Sequence, residues 1–211
     1  MPRLVLISDT HGCHEQMPPI PDGDILIHAG DLTRHGTLAE LSDVNAFFRT
    51  LPHQYKICIA GNHDFCFEQD KERAAATLPA IKYLQDKVIK VMGLTIYGSP
   101  WQPRFCDWAF NLDRGPDLKK VWARIPKNSD ILITHGPPHG LADLTETKYH
   151  VGCRDLLAMV QLVKPKVHVF GHIHHSYGLE ENDGTTFVNA AICDEEFRPL
   201  NEPVVVDVEL D

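Results

Sequence analysis

A short apolar run that ends in a polar turn recurs five times along the chain, and this feature most constrains how the chain can fold. The runs cover residues 4–7, 24–28, 56–60, 130–134 and 166–170. Such runs are typical of strands buried on both faces in the middle of an α/β sheet. Each is followed by a glycine-containing turn with Asp, Asn or His. Because open α/β sheets bind ligands at the carboxyl ends of their strands, these turns predict a functional site.

If the five strands share one sheet with their ends together, the polar side chains of the turns converge. The turns supply two carboxylates, one amide and five imidazoles, and no thiolate. These residues are Asp9, His11, Asp31, Asn62, His63, His135, His172 and His174. A Gly-Asp or Asp-x-His turn by itself would be ordinary loop chemistry. Burying the whole set without compensation would be very costly, so the set predicts a metal site.

The mixture of oxygen and nitrogen donors suits Mn²⁺, Fe or Zn²⁺ better than Ca²⁺, which prefers oxygen alone. The set offers more ligands than one tetrahedral ion needs, so a pair of ions is the simplest interpretation, with Asp31 placed to bridge them. Two ions roughly 3.5–4 Å apart can bind both non-bridging phosphate oxygens and hold a bridging hydroxide for in-line attack.

Composition narrows the class of protein. The chain has 211 residues, 43% of them hydrophobic, and a formal net charge of −9 without a basic run, which argues against duplex nucleic acid as a partner. No apolar run is long enough for a membrane span, and the first strand begins too early for a signal peptide. Six scattered cysteines without CxxC spacing favour a reducing, cytoplasmic location.

The pattern of elements predicts an α/β fold in one domain covering residues 1–211. Thr37 and Glu40 form a capping-box signature for a helix that ends before Pro52. We expect further helices at 70–78, after an Asp117 cap, and at 152–163, a hairpin at 87–97, and short strands at 176–179, 185–189 and 203–208. Early βαβ alternation followed by a strand-rich part implies two mixed sheets with helices outside, a four-layer α/β/β/α sandwich.

The five turns, in order, resemble the five blocks of the calcineurin-like metallophosphoesterase superfamily. The blocks are Asp9-x-His11, Gly30-Asp31, Gly61-Asn62-His63-Asp64, His135-Gly136 and Gly171-His172-x-His174. The resemblance implies a first metal held by Asp9, His11, Asp31 and His174, and a second held by Asp31, Asn62, His135 and His172. It also implies that His63 contacts the phosphate and helps to protonate the leaving group, and that Asp64 orients His63.

Other segments resemble the metallophosphoesterase-domain-containing phosphodiesterase branch. They are Tyr97-Gly-Ser-Pro-Trp101, Asp107-Trp-Ala-Phe-Asn111, Gly136-Pro-Pro-His-Gly140 and Asn189-Ala-Ala. The branch implies hydrolysis of small phosphodiesters, including cyclic nucleotides, with two divalent ions. We expect Mn²⁺, with Fe, Zn, Mg or Ni as alternatives. The turns at Gly30–Gly36 and Asp64 depart from the serine/threonine phosphatase patterns, which disfavours that activity.

Candidate substrate contacts are Asn62, His63, Arg34, His139 and Trp101. Arg34 could touch a phosphate or pair with a surface acid. Trp101, Phe105, Trp108 and Phe110 are either a plain hydrophobic cluster or a lid on which a nucleobase stacks. Of the other histidines, we expect His28 and His168 in the core, orienting metal ligands, and His14, His35, His53, His150 and His175 on the surface.

Three functions therefore stay open at the level of sequence. The favoured one is a dinuclear phosphodiesterase that acts on small, nucleotide-type diesters without binding duplex nucleic acid or a membrane. The second is a phosphomonoesterase or nucleotidase on the same metal pair. The third is a nucleotide-binding scaffold with weak turnover, against which the intact pair His172 and His174 argues.

Overall fold

Each of the five apolar runs forms a strand in the computed structural model of the protein, which describes residues 1–210. The strands are β1 (Arg3–Ile7), β2 (Ile25–His28), β3 (Tyr55–Cys58), β4 (Lys82–Tyr83), β5 (Lys87–Val91), β6 (Leu94–Ser99), β7 (Gln102–Pro103), β8 (Asn111–Leu112), β9 (Ile131–Thr134), β10 (Val167–Phe170), β11 (Gly178–Asn182), β12 (Thr185–Asn189) and β13 (Val204–Asp207). The α-helices are α1 (Leu38–Thr50), α2 (Phe65–Gln69), α3 (Lys71–Thr77), α4 (Pro116–Trp122) and α5 (Arg154–Val163). A 3₁₀ turn covers His174–Ser176.

The strands form two large mixed sheets rather than one. The first has the order β13-β1-β2-β3-β4, and only β13 runs antiparallel to its neighbour. The second has the order β11-β12-β10-β9-β6-β5, with antiparallel edge strands β11 and β5. The five runs are therefore divided three to two between the sheets. Their ends still meet across the sheets, because the backbone N–H of His172, after β10, donates to the carboxylate of Asp9, after β1.

Alternation along the strands explains why the sheets stack and why helices cover both outer faces. In β1, Leu4 and Leu6 face the core between the sheets, whereas Val5 and Ile7 pack with α1. In β9, Leu132 instead packs outward, in a cluster with residues of α4 and α5. Strands that bury both faces are rich in apolar residues, and the exceptions here include the buried His28 and His168. The predicted four-layer α/β/β/α sandwich is confirmed.

The helix ends follow from local side-chain chemistry. Thr37 and Glu40 form the predicted capping box at the start of α1. Cys153 caps α5 through its sulfur, and Lys164, in the left-handed region, ends it before Pro165. The start of α4 differs from the prediction, because Gly115 is its N-cap and Asp117 lies in its first turn.

Two connections complete the fold. Met92 and Gly93 both have positive φ, as a two-residue hairpin turn between β5 and β6 requires. A small parallel ribbon of β7 and β8 follows β6. Of the described helices, none is both long and apolar enough to cross a bilayer.

Asp86 connects three parts of the second sheet and its helical layer. Its carboxylate accepts hydrogen bonds from the Ser99 hydroxyl at 2.8 Å and the Trp101 indole N–H at 2.9 Å. It also pairs with the Arg124 guanidinium, just after α4, at 2.9 Å. The side chain of Asp86 is 15% exposed, so little water would be available to bond its partners if the carboxylate were removed.

We therefore expect Asp86→Ala to lower the free energy of unfolding by about 2–3 kcal/mol, because it leaves an indole and a hydroxyl unpaired in a mostly buried place. Urea denaturation measures the loss. The matched control is Asp113→Ala, which removes an exposed pair with Arg104 and should lower the free energy of unfolding far less, because solvent screens that pair. Equal losses in the two variants would show that Asp86 has no special role.

Candidate metal centre

One carboxylate oxygen lies between the two predicted metal sites. Oδ2 of Asp31 is 3.6 Å from Nε2 of His11 and 3.5 Å from Nε2 of His135. The other oxygen, Oδ1, accepts the backbone N–H of His63 at 2.8 Å, which fixes the carboxylate. Two ligand atoms of one ion at bond lengths of about 2.1 Å lie roughly 3–3.5 Å apart, so these spacings suit a bridging ligand.

The remaining predicted ligands flank Asp31 on two sides. On one side, Nε2 of His174 is 3.3 Å from Oδ1 of Asp9 and 3.4 Å from Nε2 of His11. On the other side, Nε2 of His135 is 2.9 Å from Oδ1 of Asn62, and the ring of His172 is 5.0 Å from that of His135. The structure thus brings together all seven predicted ligands, contributed by both sheets.

Backbone carbonyls fix two of the imidazoles with Nε2 pointing into the cluster. Nδ1 of His135 donates to the Ala29 carbonyl at 3.0 Å, and Nδ1 of His174 donates to the Asp194 carbonyl at 2.9 Å. Because the carbonyl holds the proton on Nδ1, Nε2 is the nitrogen that can bind a metal once it has lost its own proton.

The turns that carry the ligands are tightly wound. Asp9, His11, Asp31 and His172 all have positive φ, between 45° and 67°. Non-glycine residues seldom adopt this region, and they do so most often at functional sites. Two of the motif positions require glycine because any side chain there would collide with a predicted ligand carboxylate. A Cβ at Gly61 would lie 2.2 Å from Oδ1 of Asp31, and one at Gly171 would lie 1.8 Å from Oδ2 of Asp9.

Two buried histidines inside strands hold the same turns. Nε2 of His28 is 2.9 Å from the Thr10 hydroxyl, and Nε2 of His168 is 2.9 Å from the Thr134 hydroxyl. Each threonine is a chain neighbour of a predicted ligand. Burial lowers the pKa of both imidazoles to about 3, so both are neutral. They lie in the core, as predicted.

The prediction of a surface position is wrong for two other histidines. His14 is buried, 7% exposed, with its ring against Phe47, and His53 is 3% exposed. Nε2 of His53 donates to the Pro21 carbonyl at 3.0 Å. His14 belongs to the loop of residues 13–23 and packs its ring against α1, whereas His53 contacts the same loop from outside; the apolar pattern did not reveal the contacts of this loop.

The charges of the cluster compensate one another. Burial alone disfavours the imidazolium of His135, but Asp31 and Asp9 outweigh it and raise its pKa to about 9. Asp9 raises the pKa of His174 to about 9 against the same effect of burial. Burial prevails at His11 and His172, whose pKa values fall to about 4 and about 3. The pKa values of Asp9 and Asp31 are lowered by their imidazole neighbours in spite of burial.

His63 lies over the cluster, and its partner differs from the predicted one. Nδ1 of His63 donates to the Arg34 carbonyl at 2.8 Å. The carboxylate of Asp64 accepts instead from the backbone N–H groups of Gly61, Leu32 and Thr33, and from the Thr33 hydroxyl at 2.7 Å. Asp64 therefore fastens two ligand-bearing turns to each other and orients His63 only through the backbone.

An open cavity of about 430 Å³ lies above the cluster. Its floor includes His11, Asp31, Asn62, His63, His172 and His174. Its walls are Phe105, Trp108, Thr145, Glu146, Thr147, Ile173, His175, Glu195 and Phe197. The ring of Trp108 lies 4.0 Å from that of His63, and Phe197 lies 4.7 Å from His11, edge-on. The segments 145–147 and 195–197 were missed from sequence, because no motif or periodicity marks them.

Three predicted substrate contacts lie elsewhere or at the margin. Trp101 is held by Asp86 and packs edge-on against Phe110, outside the cavity. His139 lines a different groove beside α5. Arg34 is exposed, with its guanidinium carbon 5.0 Å over the ring of Phe197. The aromatic cluster predicted from sequence is thus divided, with Phe105 and Trp108 in the cavity and the other two in the packing.

Comparison with known proteins agrees with this geometry. Residues 2–176 match the family described as calcineurin-like phosphoesterase. Metallophosphoesterase domain-containing protein 1 of Homo sapiens is 43% identical over 231 residues, covering 98% of this chain and 71% of the relative, and the Mus musculus protein gives the same values. The crystal structure of phosphopantetheinyl hydrolase from Mycobacterium tuberculosis shares the fold, with a TM-score of 0.57 at 16% identity over 93% of this chain and 91% of that one.

The chain therefore belongs to the calcineurin-like phosphoesterase family, whose members use divalent metal ions. The donor set of this chain fits such ions. It combines carboxylate, amide and imidazole donors. Ligand atoms of Asp9, His11 and His174 lie within 4.8 Å of one another, and so do those of Asp9, Asp31 and His135.

Because the raised pKa values of His135 and His174 keep both imidazoles protonated at pH 7, metal binding must displace their protons. We expect about one proton released per bound ion, and an apparent dissociation constant that falls about tenfold per pH unit up to pH 9. Calorimetric titration with Mn²⁺ in two buffers of different ionisation enthalpy counts the protons. Release of none at pH 7 would contradict the charge state described for the cluster.

Proposed function

We propose that this protein is a phosphodiesterase that hydrolyses small phosphodiesters, nucleotides and cyclic nucleotides among them, with two divalent metal ions. The observation that carries the proposal is the position of Asp31, whose Oδ2 is almost equidistant from His11 and His135. A carboxylate in that position is suited to hold two ions beside each other. Mn²⁺ is the ion we favour among Mn, Fe, Zn, Mg and Ni, since the donors are mixed oxygen and nitrogen.

In this proposal Asp9, His11 and His174 hold the first ion, Asn62, His135 and His172 hold the second, and Asp31 is shared. When bound, such an ion pair supplies Lewis acidity toward the phosphoryl oxygens and lowers the pKa of a coordinated water. The protein supplies the rigid cage, because the Ala29 and Asp194 carbonyls fix the rings of His135 and His174.

His63 is the residue we assign to the leaving group. Its Nδ1 proton is held by the Arg34 carbonyl, so Nε2 is the nitrogen that can exchange a proton with substrate. The ring is 8% exposed and lines the cavity, in contact with Trp108. An imidazole in this position can donate a hydrogen bond to a phosphoryl oxygen and a proton to the departing alkoxide.

The walls favour a diester with a flat ester group. Phe105, Trp108 and Phe197 present aromatic surface on which a nucleobase or another ring can stack. A cavity of about 430 Å³ suits a ligand of nucleotide size rather than a polymer. We propose neither duplex nucleic acid nor a membrane as a partner, and a cytoplasmic location, in keeping with six free cysteines.

The first test compares hydrolysis of bis(p-nitrophenyl) phosphate and p-nitrophenyl phosphate by metal-stripped protein, with and without Mn²⁺. We expect Mn²⁺-dependent turnover that favours the diester. A preference for the monoester would replace this proposal by a phosphomonoesterase or nucleotidase. Turnover of neither ester by protein with bound metal would replace it by a nucleotide-binding scaffold.

For His63→Ala, we expect a fall in diester kcat of about 10²–10⁴-fold with unchanged metal content, because a general acid is lost while the proposed ligands stay. Metal analysis and steady-state kinetics on the same preparation separate the two properties. The matched control is His35→Ala, which removes the imidazole directly after Arg34; its side chain is 72% exposed and lies outside the cavity. Unchanged diester turnover in His63→Ala would remove the assigned role.

A further inference from the structure

The rim of the cavity is acidic, although the reaction proposed for it concerns anions. Glu146 and Glu195 both line the cavity, and none of the lining residues is a lysine or an arginine. The guanidinium carbon of Arg34 lies 5.0 Å over the ring of Phe197, and Arg34 is not among the lining residues. Phosphate-binding cavities usually gather cations at their rim, so two carboxylates there need a physical explanation.

Glu146 is carried by a loop whose shape is fixed from within. The buried carboxylate of Asp143 accepts the backbone N–H groups of Gly140 and Gly152, each at 2.9 Å, and Nδ1–H of His150 at 2.5 Å. A hydrogen bond from the Ser176 hydroxyl to the Leu144 carbonyl, at 2.7 Å, ties this loop to the turn that follows His174. These hydrogen bonds fix the backbone of the loop that carries Glu146 at the cavity.

The turn that carries Glu195 is fixed by other contacts, and Oε1 of Glu195 itself lies 3.5 Å from Nδ1 of His175, which also lines the cavity. Asp194 accepts the backbone N–H groups of Glu196 and Arg198 at 3.0 and 2.9 Å, which closes the turn that contains Glu195. The carbonyl of Asp194 also accepts Nδ1–H of His174, so the turn is hydrogen-bonded directly to one of the predicted metal ligands. The nearby cation Arg198 is used inside this turn, paired with Asp194 and Glu196.

We propose that Glu146 and Glu195 select phosphate esters by charge, so that the preferred substrates are diesters of net charge −1 or zwitterionic diesters with a cationic ester arm. This inference rests on the proposed function and specifies its substrate class. The rim would disfavour monoesters and diesters that carry a further phosphate.

The selection follows from elementary electrostatics. A phosphodiester carries one negative charge, whereas a phosphomonoester carries about −1.5 to −2 at pH 7. Bound metal ions attract both esters, and rim carboxylates repel them in proportion to their charge. At the distances and effective dielectric of a cavity mouth, each carboxylate should change the relative rate by about threefold per unit of substrate charge.

The experiment uses the Mn²⁺-loaded protein and three chromogenic esters that differ in charge. They are p-nitrophenylphosphorylcholine, which is zwitterionic, bis(p-nitrophenyl) phosphate and p-nitrophenyl phosphate. In the double variant Glu146→Gln/Glu195→Gln, we expect kcat/KM for the monoester to rise about tenfold relative to the diester, and that for the choline ester to fall relative to it. The difference between variant and wild type should shrink in 1 M NaCl, where charges are screened.

The matched control is Glu180→Gln/Glu181→Gln, which makes the same change in net charge on exposed β11, outside the cavity. A second readout independent of turnover is calorimetric binding of inorganic phosphate and dimethyl phosphate, whose affinity ratio should shift toward phosphate in the rim variant alone. Ratios that move less than about twofold, or that move equally in the control, overturn the inference. Diester turnover with unmoved ratios overturns charge selection alone, whereas absent diester turnover in the wild type overturns the proposed function and this inference with it.

Discussion

Compensation of buried charge, at the line where the two sheets meet, is the constraint on which the rest of the structure depends. Asp9 is fully buried and Asp31 is 2% exposed, and both are surrounded by imidazoles. Carboxylates in such a place are stable only if a cation or a hydrogen-bond donor faces each of them. Without metal, the protonated rings of His135 and His174 supply the positive charge. With metal, the ions supply it, so the same side chains serve two charge states of one site.

The fold holds these side chains in fixed positions. The ligands follow strands that are buried on both faces, and a buried strand has little freedom to shift its end. The turns have positive φ at Asp9, His11 and Asp31. Contacts from the opposite sheet hold them in this unfavourable conformation. The backbone N–H of His172, for example, donates to both oxygens of Asp9 across the seam. Each sheet therefore completes the site of the other.

Much of this could be predicted from sequence, because strand burial, helix caps and the predicted metal ligands are all local patterns. Thr37 and Glu40 alone predict the start of α1. What the sequence did not reveal depends on long-range packing. Trp101 is one of the candidate substrate contacts, in an aromatic group that the sequence leaves as either packing or a lid, and its indole N–H donates to Asp86, fifteen residues earlier along the chain. His53 looked like a surface residue, but a proline-rich loop covers it. Residues such as Phe197 carry no motif, so only the three-dimensional structure places them at the cavity.

The predicted ligands and the cavity walls determine different properties of the site. The predicted ligands, which the sequence reveals, would activate any phosphoryl centre and so define only a class of chemistry. Choice among esters must come from the walls, and the walls belong to loops that the sequence leaves unmarked. In this chain those loops are not loose. One is built around the buried carboxylate of Asp143, and the other is fixed by the bond from His174 to Asp194. The second loop is therefore held by one of the proposed metal ligands, so a single hydrogen bond links the position of the His174 ring to that of this cavity wall.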